Sequence, residues 1–199
     1  EGISHITSSD IQYASELGFA IKPVAVVRRS EDTLAAMVYP ALVGFDRILS
    51  RVNGVMNAVE VESDYAGRLF FSGPGAGSLA TASAVVSDLG LIARNQGSVY
   101  PSLMGTEKLG VTYPDQSTSC CYLRFDVVDE KGIFARITGA LSDSGISIDE
   151  VFQKNRDGGR ASIVMITHPA REKDLEDCLS NVGKFGELLQ PIQRIRVLS

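Results

Sequence analysis

The chain contains no tryptophan, only three cysteines and only two histidines among its 199 residues. An odd number of cysteines without metal-ligand spacing argues against a disulfide framework and favours a reducing, cytoplasmic compartment. The histidines, His5 and His168, are far apart in the sequence and belong to no cluster of Cys or His residues. We therefore expect no zinc or iron site, and no serine–histidine arrangement predicts a hydrolase.

The chain also lacks a block of basic residues and any long hydrophobic run. Its net charge of −5 argues against nucleic-acid binding. No apolar segment approaches the roughly 18 residues of a membrane span, and the first residues do not resemble a signal peptide. Hydrophobic residues make up 44% of the chain, which suffices for two modest cores.

The most informative segment is 73–89, where three glycines at every second position precede a helix rich in small residues. Glycines let the backbone pass close to another surface, and the N-terminus of a helix suits a phosphate. The pattern differs from the dinucleotide fingerprint, because its third glycine comes one position early and no acidic residue lies between Leu89 and Glu107. A turn and helix without a ligand is the alternative interpretation.

This segment resembles the closing part of the catalytic domain of homoserine dehydrogenases. Further motifs of that family occur upstream in the same order, at residues 1–10, 14–22 and 52–59. The resemblance covers roughly residues 1–94. It implies an NAD(P)-dependent oxidoreductase that interconverts L-homoserine and L-aspartate 4-semialdehyde in threonine, methionine and isoleucine biosynthesis. It also implies that Gly75, Ala76 and Gly77 contact NADP or NAD, which a preceding nucleotide-binding domain would mainly hold.

No part of the chain matches that nucleotide-binding domain, or the acidic residues and lysine of the family's active site. We therefore assign no catalytic residue to this chain and no metal site. The opening residues Glu1-Gly2-Ile3 do not form an initiator sequence. We expect a segment of a longer enzyme that is inactive by itself.

Apolar periodicity predicts a mainly antiparallel sheet with a few helices for residues 1–94. Thr7 or Ser8 is expected to cap the first helix, and Pro40 to end the second strand. The predicted helices cover 10–17 and 79–93, the predicted strands cover 21–28, 33–39, 57–62 and 68–72, and 42–52 is expected to be a short helix or irregular. Residues 95–119 contain many Gly, Pro and Ser residues and are interpreted as a linker.

The last 80 residues predict the order βαββαβ, a ferredoxin-like topology. The expected strands cover 121–128, 146–153, 161–167 and 192–198, and the expected helices follow Ile133 and cover 172–181. The fold class is therefore α+β: a mixed or antiparallel sheet segment over 1–94, then the linker 95–119 and a βαββαβ domain over 120–199. The acidic residues Asp126, Asp129 and Glu130 are expected to be solvated.

An Asp-x-x-Gly turn at 129–132 and a Gly-Ile-x-Ile sequence at 145–148 resemble ACT domains, which are small amino-acid-binding regulatory modules. The resemblance implies a regulatory pocket formed by Asp129, Gly132 and Ile133 of one copy and by Ser147 and Asp149 of a partner. The chain departs from the family pattern at two positions, with Lys131 where Pro is common and Ser147 where Asn is common. In the alternative interpretation, Gly132 only permits the turn and Asp129 caps the helix.

Two classes of function follow. The first is part of a homoserine dehydrogenase whose ACT domain serves amino-acid feedback, with threonine as the favoured effector, or assembly. The second is a stand-alone ACT-type regulatory protein without catalysis. In either case the unprotected sheet edges predict a homodimer or tetramer. An effector would act on the catalytic segment through residues 95–119.

Overall fold

A computed structural model describes residues 1–94, 109–112, 117–156 and 158–198. The chain divides into two compact units. The first unit joins Glu1–Phe45 to the residues from Leu109 onward, and the second is Asp46–Lys108. The expected division into 1–94, 95–119 and 120–199 stays a prediction about family domains, because the compact units follow tertiary contacts instead. Most of the expected linker lies outside the described residues.

The elements of the N-terminal part are, in chain order, α1 (Ser8–Glu16), β1 (Phe19–Ser30), β2 (Thr33–Gly44), a 3-10 helix (Ile48–Arg51), β3 (Met56–Ser63), β4 (Gly67–Pro74) and α2 (Ser78–Arg94). Those of the C-terminal part are β5 (Gly110–Val111), β6 (Thr118–Ser119), β7 (Cys121–Val128), α3 (Ile133–Asp143), β8 (Ile148–Arg156), β9 (Arg160–Thr167), β10 (Ala170–Arg171), α4 (Glu172–Val182) and β11 (Gln193–Val197).

One sheet organises the first unit, with the strand order β1-β2-β11-β7-β9-β8. Its β11-β7-β9-β8 part, with α3 and α4, is the predicted ferredoxin-like βαββαβ fold, which is confirmed. The N-terminal strands extend this sheet, because β2 pairs in parallel with β11 (Ala41 with Arg196, Leu42 with Val197). The N-terminal and C-terminal parts of the sequence therefore share one sheet.

Both faces of the β11-β7-β9-β8 part of this sheet carry a buried cluster. On one face, α3 and α4 pack over a buried cluster that includes Leu123, Phe125 and Ile163. On the other face, Tyr13 and Ala14 of α1 pack against strand residues and form a second buried cluster with them. The strand residues of this cluster are Leu42, Tyr122, Val164, Ile166 and Ile195. Successive residues of β7 and β9 point to opposite faces of the sheet, and both sets are buried. A sheet with one face in water would leave every second residue exposed.

Helix α1 begins with a capping box. The Thr7 hydroxyl accepts a hydrogen bond from the Asp10 N–H, and the Asp10 carboxylate accepts one from the Thr7 N–H. Of the two residues predicted to cap the helix, Thr7 is the one that does so. The reciprocal bonds satisfy backbone donors that an α-helix otherwise leaves unpaired.

The prediction that Pro40 ends the second strand is wrong, because β2 continues to Gly44. Pro40 lies opposite Pro23 in the antiparallel β1–β2 ladder. Alternate pairs of such a ladder exchange no hydrogen bonds, so two facing prolines at one of these positions remove none. The strand therefore includes the buried residues Ala41–Val43. Of the short helix predicted within 42–52, the structure has the 3-10 helix.

The second unit contains the predicted β3–β4 hairpin and α2. The hairpin register places Val59 opposite Phe71 and Val61 opposite Leu69, which gives one face four apolar side chains. These side chains are 39–59% exposed. Helix α2 carries no buried residue. Among the described residues, no helix is both long enough and apolar enough to cross a membrane.

The double cover of the sheet predicts a contrast between two isoleucines. We expect Ile166→Ala to lower the free energy of unfolding by about 2–5 kcal/mol, because Ile166 is 6% exposed beneath α1. The matched control Ile11→Ala lies on the outer side of α1 with 58% exposure and should cost less than about 0.5 kcal/mol. Urea unfolding followed by circular dichroism measures both variants. Equal, small effects would show that α1 does not cover this face.

Candidate functional site

In the glycine-rich connection between β4 and α2, a close contact within the chain requires glycine at position 75. At Gly75 a Cβ atom would lie 1.4 Å from Nδ2 of Asn57, so a larger residue would displace that side chain. The Gly75 N–H also donates to the Val55 carbonyl at 2.7 Å. The close approach of Asn57 therefore explains this glycine without any ligand.

Gly77 differs, because nothing lies within 4 Å of where its Cβ would be. Its φ of +117° is a conformation that residues with a Cβ rarely adopt. The carbonyl of Gly77 accepts hydrogen bonds from both the N–H and the hydroxyl of Thr81, at 3.0 and 2.9 Å. Gly77 and the neighbouring Ala76 are exposed, where the first turn of α2 begins.

The residues Gly75, Ala76 and Gly77 form an exposed backbone segment at the start of α2. Their exposed backbone and the open space at Gly77 fit a close backbone contact with a group outside the chain, and the helix start suits a phosphate. Residues 73–93 contain no Lys or Arg, so this segment supplies no cationic side chain. These residues fit one edge of a cofactor site.

The predicted regulatory turn lies between β7 and α3. Gly132 is the N-cap residue of α3 with a left-handed backbone, and no side chain caps the helix. The alternative role of Asp129 as the helix cap is therefore wrong. The Asp129 side chain is exposed, and its N–H donates to the Gly159 carbonyl at 2.8 Å. Ile133 lies in the core with 5% exposure, so only its backbone can face a ligand.

Ser147 and Asp149 lie at the start of β8. The Ser147 carbonyl accepts the His168 N–H at 2.9 Å, and an Asp149 carboxylate oxygen lies 3.8 Å from Nε2 of His168. Strands β7 and β8 run in the same direction because both are antiparallel to β9. The turn that follows β7 and the residues that start β8 therefore lie at opposite ends of one copy's sheet. Two copies are needed to bring them together.

A buried ionic group near α1 was not predicted, and the expectation that Asp126 is solvated is wrong. Nε of Arg124 donates to Asp10 at 2.7 Å, and Nη2 donates to the other oxygen at 3.3 Å. The Nη1 atom of Arg124 donates to Asp126, which also accepts a hydrogen bond from the Ser162 hydroxyl. All four residues are at least nine-tenths buried, because α1 covers this face of the sheet.

The buried carboxylate of Asp10 is held in its charged form. Burial opposes its ionisation, but the hydrogen bonds from Arg124 and Thr7 outweigh burial and hold the pKa of Asp10 below its usual value. The Tyr122 hydroxyl also donates to Asp10, at 3.2 Å. Burial, and then the nearby negative charge of Asp10, raise the pKa of Tyr122. The tyrosine therefore acts here as a neutral hydrogen-bond donor.

A second buried ion pair joins α4 to β11. Arg196 binds both carboxylate oxygens of Glu172, with Nε–Oε1 at 2.8 Å and Nη2–Oε2 at 2.7 Å. The guanidinium also lies 5.0 Å from the ring centre of Tyr39 on β2. Burial opposes ionisation of Glu172, but hydrogen bonds from Arg196 and Ser119 outweigh it and lower the pKa of Glu172. A bidentate pair of this kind has a fixed geometry.

The cysteines are free in the structure, and two of them are core residues. Cys121 and Cys178 belong to the cluster beneath α3 and α4. Burial raises the pKa of the Cys121 thiol to about 11, so it is protonated at neutral pH. Within the described parts of the chain, no three His, Cys, Asp or Glu side chains are grouped to hold a metal ion.

Comparisons with known proteins match the N-terminal and the C-terminal parts of the sequence to two different families. Residues 1–89 match the model of the homoserine dehydrogenase family, and residues 122–184 match that of the ACT domain. The chain is similar to the C-terminal part of homoserine dehydrogenases. The predicted resemblance to the end of the dehydrogenase catalytic domain followed by an ACT domain is confirmed.

Similar homoserine dehydrogenases come from several bacteria. The enzyme of Pseudomonas aeruginosa is 35% identical over 207 residues, which cover 99% of this chain and 48% of that protein. The enzyme of Bacillus subtilis is 34% identical over 97% of this chain and 46% of its own length. A crystal structure of a homoserine dehydrogenase from Thiobacillus denitrificans covers the whole chain with a TM-score of 0.84 at 32% identity. The chain thus spans about half the length of the relatives it matches.

The Glu172–Arg196 pair predicts an acid-dependent loss of stability. Because its folded-state pKa is lowered, the ionised Glu172 contributes stability above the unfolded pKa of about 4.3, and this contribution is lost as pH falls through the folded pKa. We expect Glu172→Gln to cost about 3 kcal/mol at pH 7, because the buried Arg196 loses its bidentate partner and keeps only the contact of Nη1 with the Glu1 carboxylate at 2.8 Å. In urea unfolding at pH 3 the variant and the wild type should differ much less.

The control for this prediction is Glu187→Gln, which removes the carboxylate of an ion pair whose Arg136 side chain is 50% exposed. It should change stability by less than about 1 kcal/mol at either pH. A cost for Glu172→Gln that is the same at pH 7 and pH 3 would contradict the role of its ionised form.

Proposed function

We propose that this chain is part of an NAD(P)-dependent homoserine dehydrogenase that interconverts L-homoserine and L-aspartate 4-semialdehyde. The observation that carries the proposal is the dehydrogenase family match over residues 1–89, which contains the exposed Gly75–Gly77 connection to α2. The alternative, a stand-alone ACT protein, gives no role to the hairpin and helix of 46–94. A place in threonine, methionine and isoleucine biosynthesis follows from this reaction and is part of the proposal.

The hydride transfer needs residues that this chain does not supply. None of its residues matches the family's nucleotide-binding domain or its catalytic acid and lysine. Without them the cofactor and the substrate are not positioned for reaction. The proposal therefore assigns to this chain a cofactor contact, the assembly surfaces and regulation, with the nicotinamide cofactor held mainly by the rest of the enzyme. A cytoplasmic location stays a prediction from the cysteine pattern.

The proposed activity can be tested with a chimera. We expect the purified 199-residue chain to show no turnover of homoserine with NAD or NADP. Joined to the part of the Pseudomonas aeruginosa enzyme that lies outside the matched region, the same chain should support turnover. Cofactor reduction followed at 340 nm measures both.

The matched control for the chimera is the P. aeruginosa enzyme itself, prepared in parallel. Turnover by the chain alone would contradict the assignment of the chemistry to the other part. A folded chimera that binds cofactor but does not oxidise homoserine would contradict the proposed substrate.

The open space at Gly77 predicts a cofactor contact there. Gly77→Ala and Gly77→Val both impose the same unfavourable φ of +117°, but they differ in bulk, and nothing within the chain lies near the added atoms. We expect valine to lower stability somewhat more than alanine, because a β-branched residue tolerates a positive φ less well. In the chimera, valine should raise the KM for the nicotinamide cofactor about tenfold or more relative to alanine. Equal KM values would show that Gly77 serves only the turn.

Assembly is proposed to use the free edge of the ACT sheet. The other edge is closed within the chain, because β2 pairs with β11, whereas β8 ends the sheet among the described residues. If two β8 strands pair antiparallel about Phe152, Glu150 lies opposite the partner subunit's Lys154, and the reverse pair forms as well. Opposite charges at facing positions stabilise such a pairing. The exposed apolar face of the β3–β4 hairpin offers a second contact for a dimer or tetramer.

Edge pairing also supports the proposed regulatory pocket. An antiparallel β8 pair brings the partner subunit's Ser147 and Asp149 to the end of the sheet that carries Asp129 and Gly132. An amino acid there could direct its carboxylate to the start of α3 and its ammonium group to Asp149. Threonine is the favoured effector, because it is an end product of the proposed pathway.

The paired edge predicts that Glu150→Lys separates the two β8 strands. Two lysines would then face each other at both positions, so light scattering should report half the wild-type mass. Calorimetric titration of the wild type with threonine should give heat that this variant lacks, since the pocket requires two copies.

The charge-reversed control Glu16→Gln/Glu150→Lys/Lys154→Glu should restore the wild-type mass, with Glu16 neutralised because it pairs with Lys154 in the wild type. An unchanged mass for the single variant would place the interface elsewhere. Silence from threonine, isoleucine, methionine and lysine alike in the wild type would make this ACT domain an assembly element only.

A further inference from the structure

The carboxylate of Asp10 performs two tasks at once. It closes the start of α1 by accepting the Thr7 N–H at 2.9 Å and the Thr7 hydroxyl at 2.6 Å. It also binds Arg124 of β7, which is 114 residues away in the sequence. One fully buried side chain therefore joins a helix of the segment matched by the dehydrogenase family to the central strand of the ACT domain.

The guanidinium of Arg124 has few other ways to be satisfied. Its Nε and Nη2 atoms donate to Asp10, and its Nη1 atom donates to Asp126. A buried cation that loses a carboxylate partner is strongly unfavourable, because little water reaches it. A shift of β7 that breaks the contact with Asp10 therefore weakens the attachment of α1, which is then held by the packing of Tyr13 and Ala14.

Strand β7 leads directly to the regulatory turn. From Arg124 the strand runs five residues, about 17 Å, to Asp129, where the turn into α3 begins. The core beneath α3 lies on the face of the sheet opposite to α1, so α1 does not pack in that cluster. A change in α3 can reach α1 through β7 and its buried arginine.

We propose that the Asp10–Arg124 pair is the coupling point through which the state of the ACT domain controls the stability of α1 and the N-terminal segment. Asp10 is in this respect a positioning residue that acts through Arg124. The regulatory meaning of this coupling rests on the proposed function, but the coupling itself is a property of this chain and needs no effector, cofactor or substrate.

Hydrogen exchange of the 199-residue chain tests the coupling. Ile137→Val loosens the core beneath α3, where Ile137 is fully buried. It should raise amide exchange in α3 and α4 about fivefold. With Asp10 intact, exchange in 8–16 should rise by a similar factor. In an Asp10→Asn background, exchange in 8–16 should already be fast and should no longer respond to Ile137→Val.

The matched control background is Glu16→Gln, which removes a carboxylate from the same helix at an exposed ion pair with Lys154. There, α1 should respond to Ile137→Val as it does in the wild type. No response of α1 to Ile137→Val with Asp10 intact overturns the proposal, and so does a full response in the Asp10→Asn background.

If Asp10→Asn does not fold, the comparison of the wild type with Ile137→Val still tests the proposal. Asp10→Glu then provides a variant that keeps the charge but displaces the carboxylate. In the Asp10→Glu background, Ile137→Val should raise exchange in 8–16 by a smaller factor than in the wild type. The hydrogen-exchange measurements are made without ligands. Their result therefore does not depend on whether the enzyme turns over homoserine or binds threonine.

Discussion

The buried guanidinium of Arg124 is the constraint on which the first unit of the structure depends. An arginine in the middle of a central strand requires carboxylates on its own face of the sheet. Asp126 supplies one from the same strand, and Asp10 supplies the other from α1. The helix that brings Asp10 also buries Tyr122, Val164 and Ile166. The neutralisation of Arg124 and the burial of these apolar side chains therefore both depend on the packing of α1 against the sheet.

This arrangement explains why family boundaries and compact units differ. The dehydrogenase match covers residues 1–89, yet residues 1–45 complete the sheet and cover one face of the ACT domain. A second ion pair, Glu172 with Arg196, reinforces the connection, because Arg196 also lies over Tyr39 of β2. In this chain the ACT fold is the centre of a larger sheet, with one edge closed by its own N-terminal strands.

Local pattern was enough to predict most elements. The βαββαβ order, the β3–β4 hairpin and the Thr7 cap follow from periodicity and turn chemistry over short stretches. The extent of β2 past Pro40 could not be predicted in this way, because it depends on the opposing Pro23. The burial of Arg124 and Asp126 was also missed. Their alternation with Leu123 and Phe125 is typical of a half-exposed strand, and only a helix more than a hundred residues away buries them. Asp10 stood within a family motif, but nothing local to it indicated its partner.

The most direct test of this account is a double-mutant cycle between Asp10 and Arg124. Free energies of unfolding are measured for the wild type, Asp10→Asn, Arg124→Gln and the double variant in urea at pH 7. If the two side chains hold α1 on the sheet together, the double variant should be more stable than the sum of the single losses predicts. We expect an interaction energy of about 1–3 kcal/mol. Additive losses, with an interaction energy near zero, would contradict the central role of this ion pair.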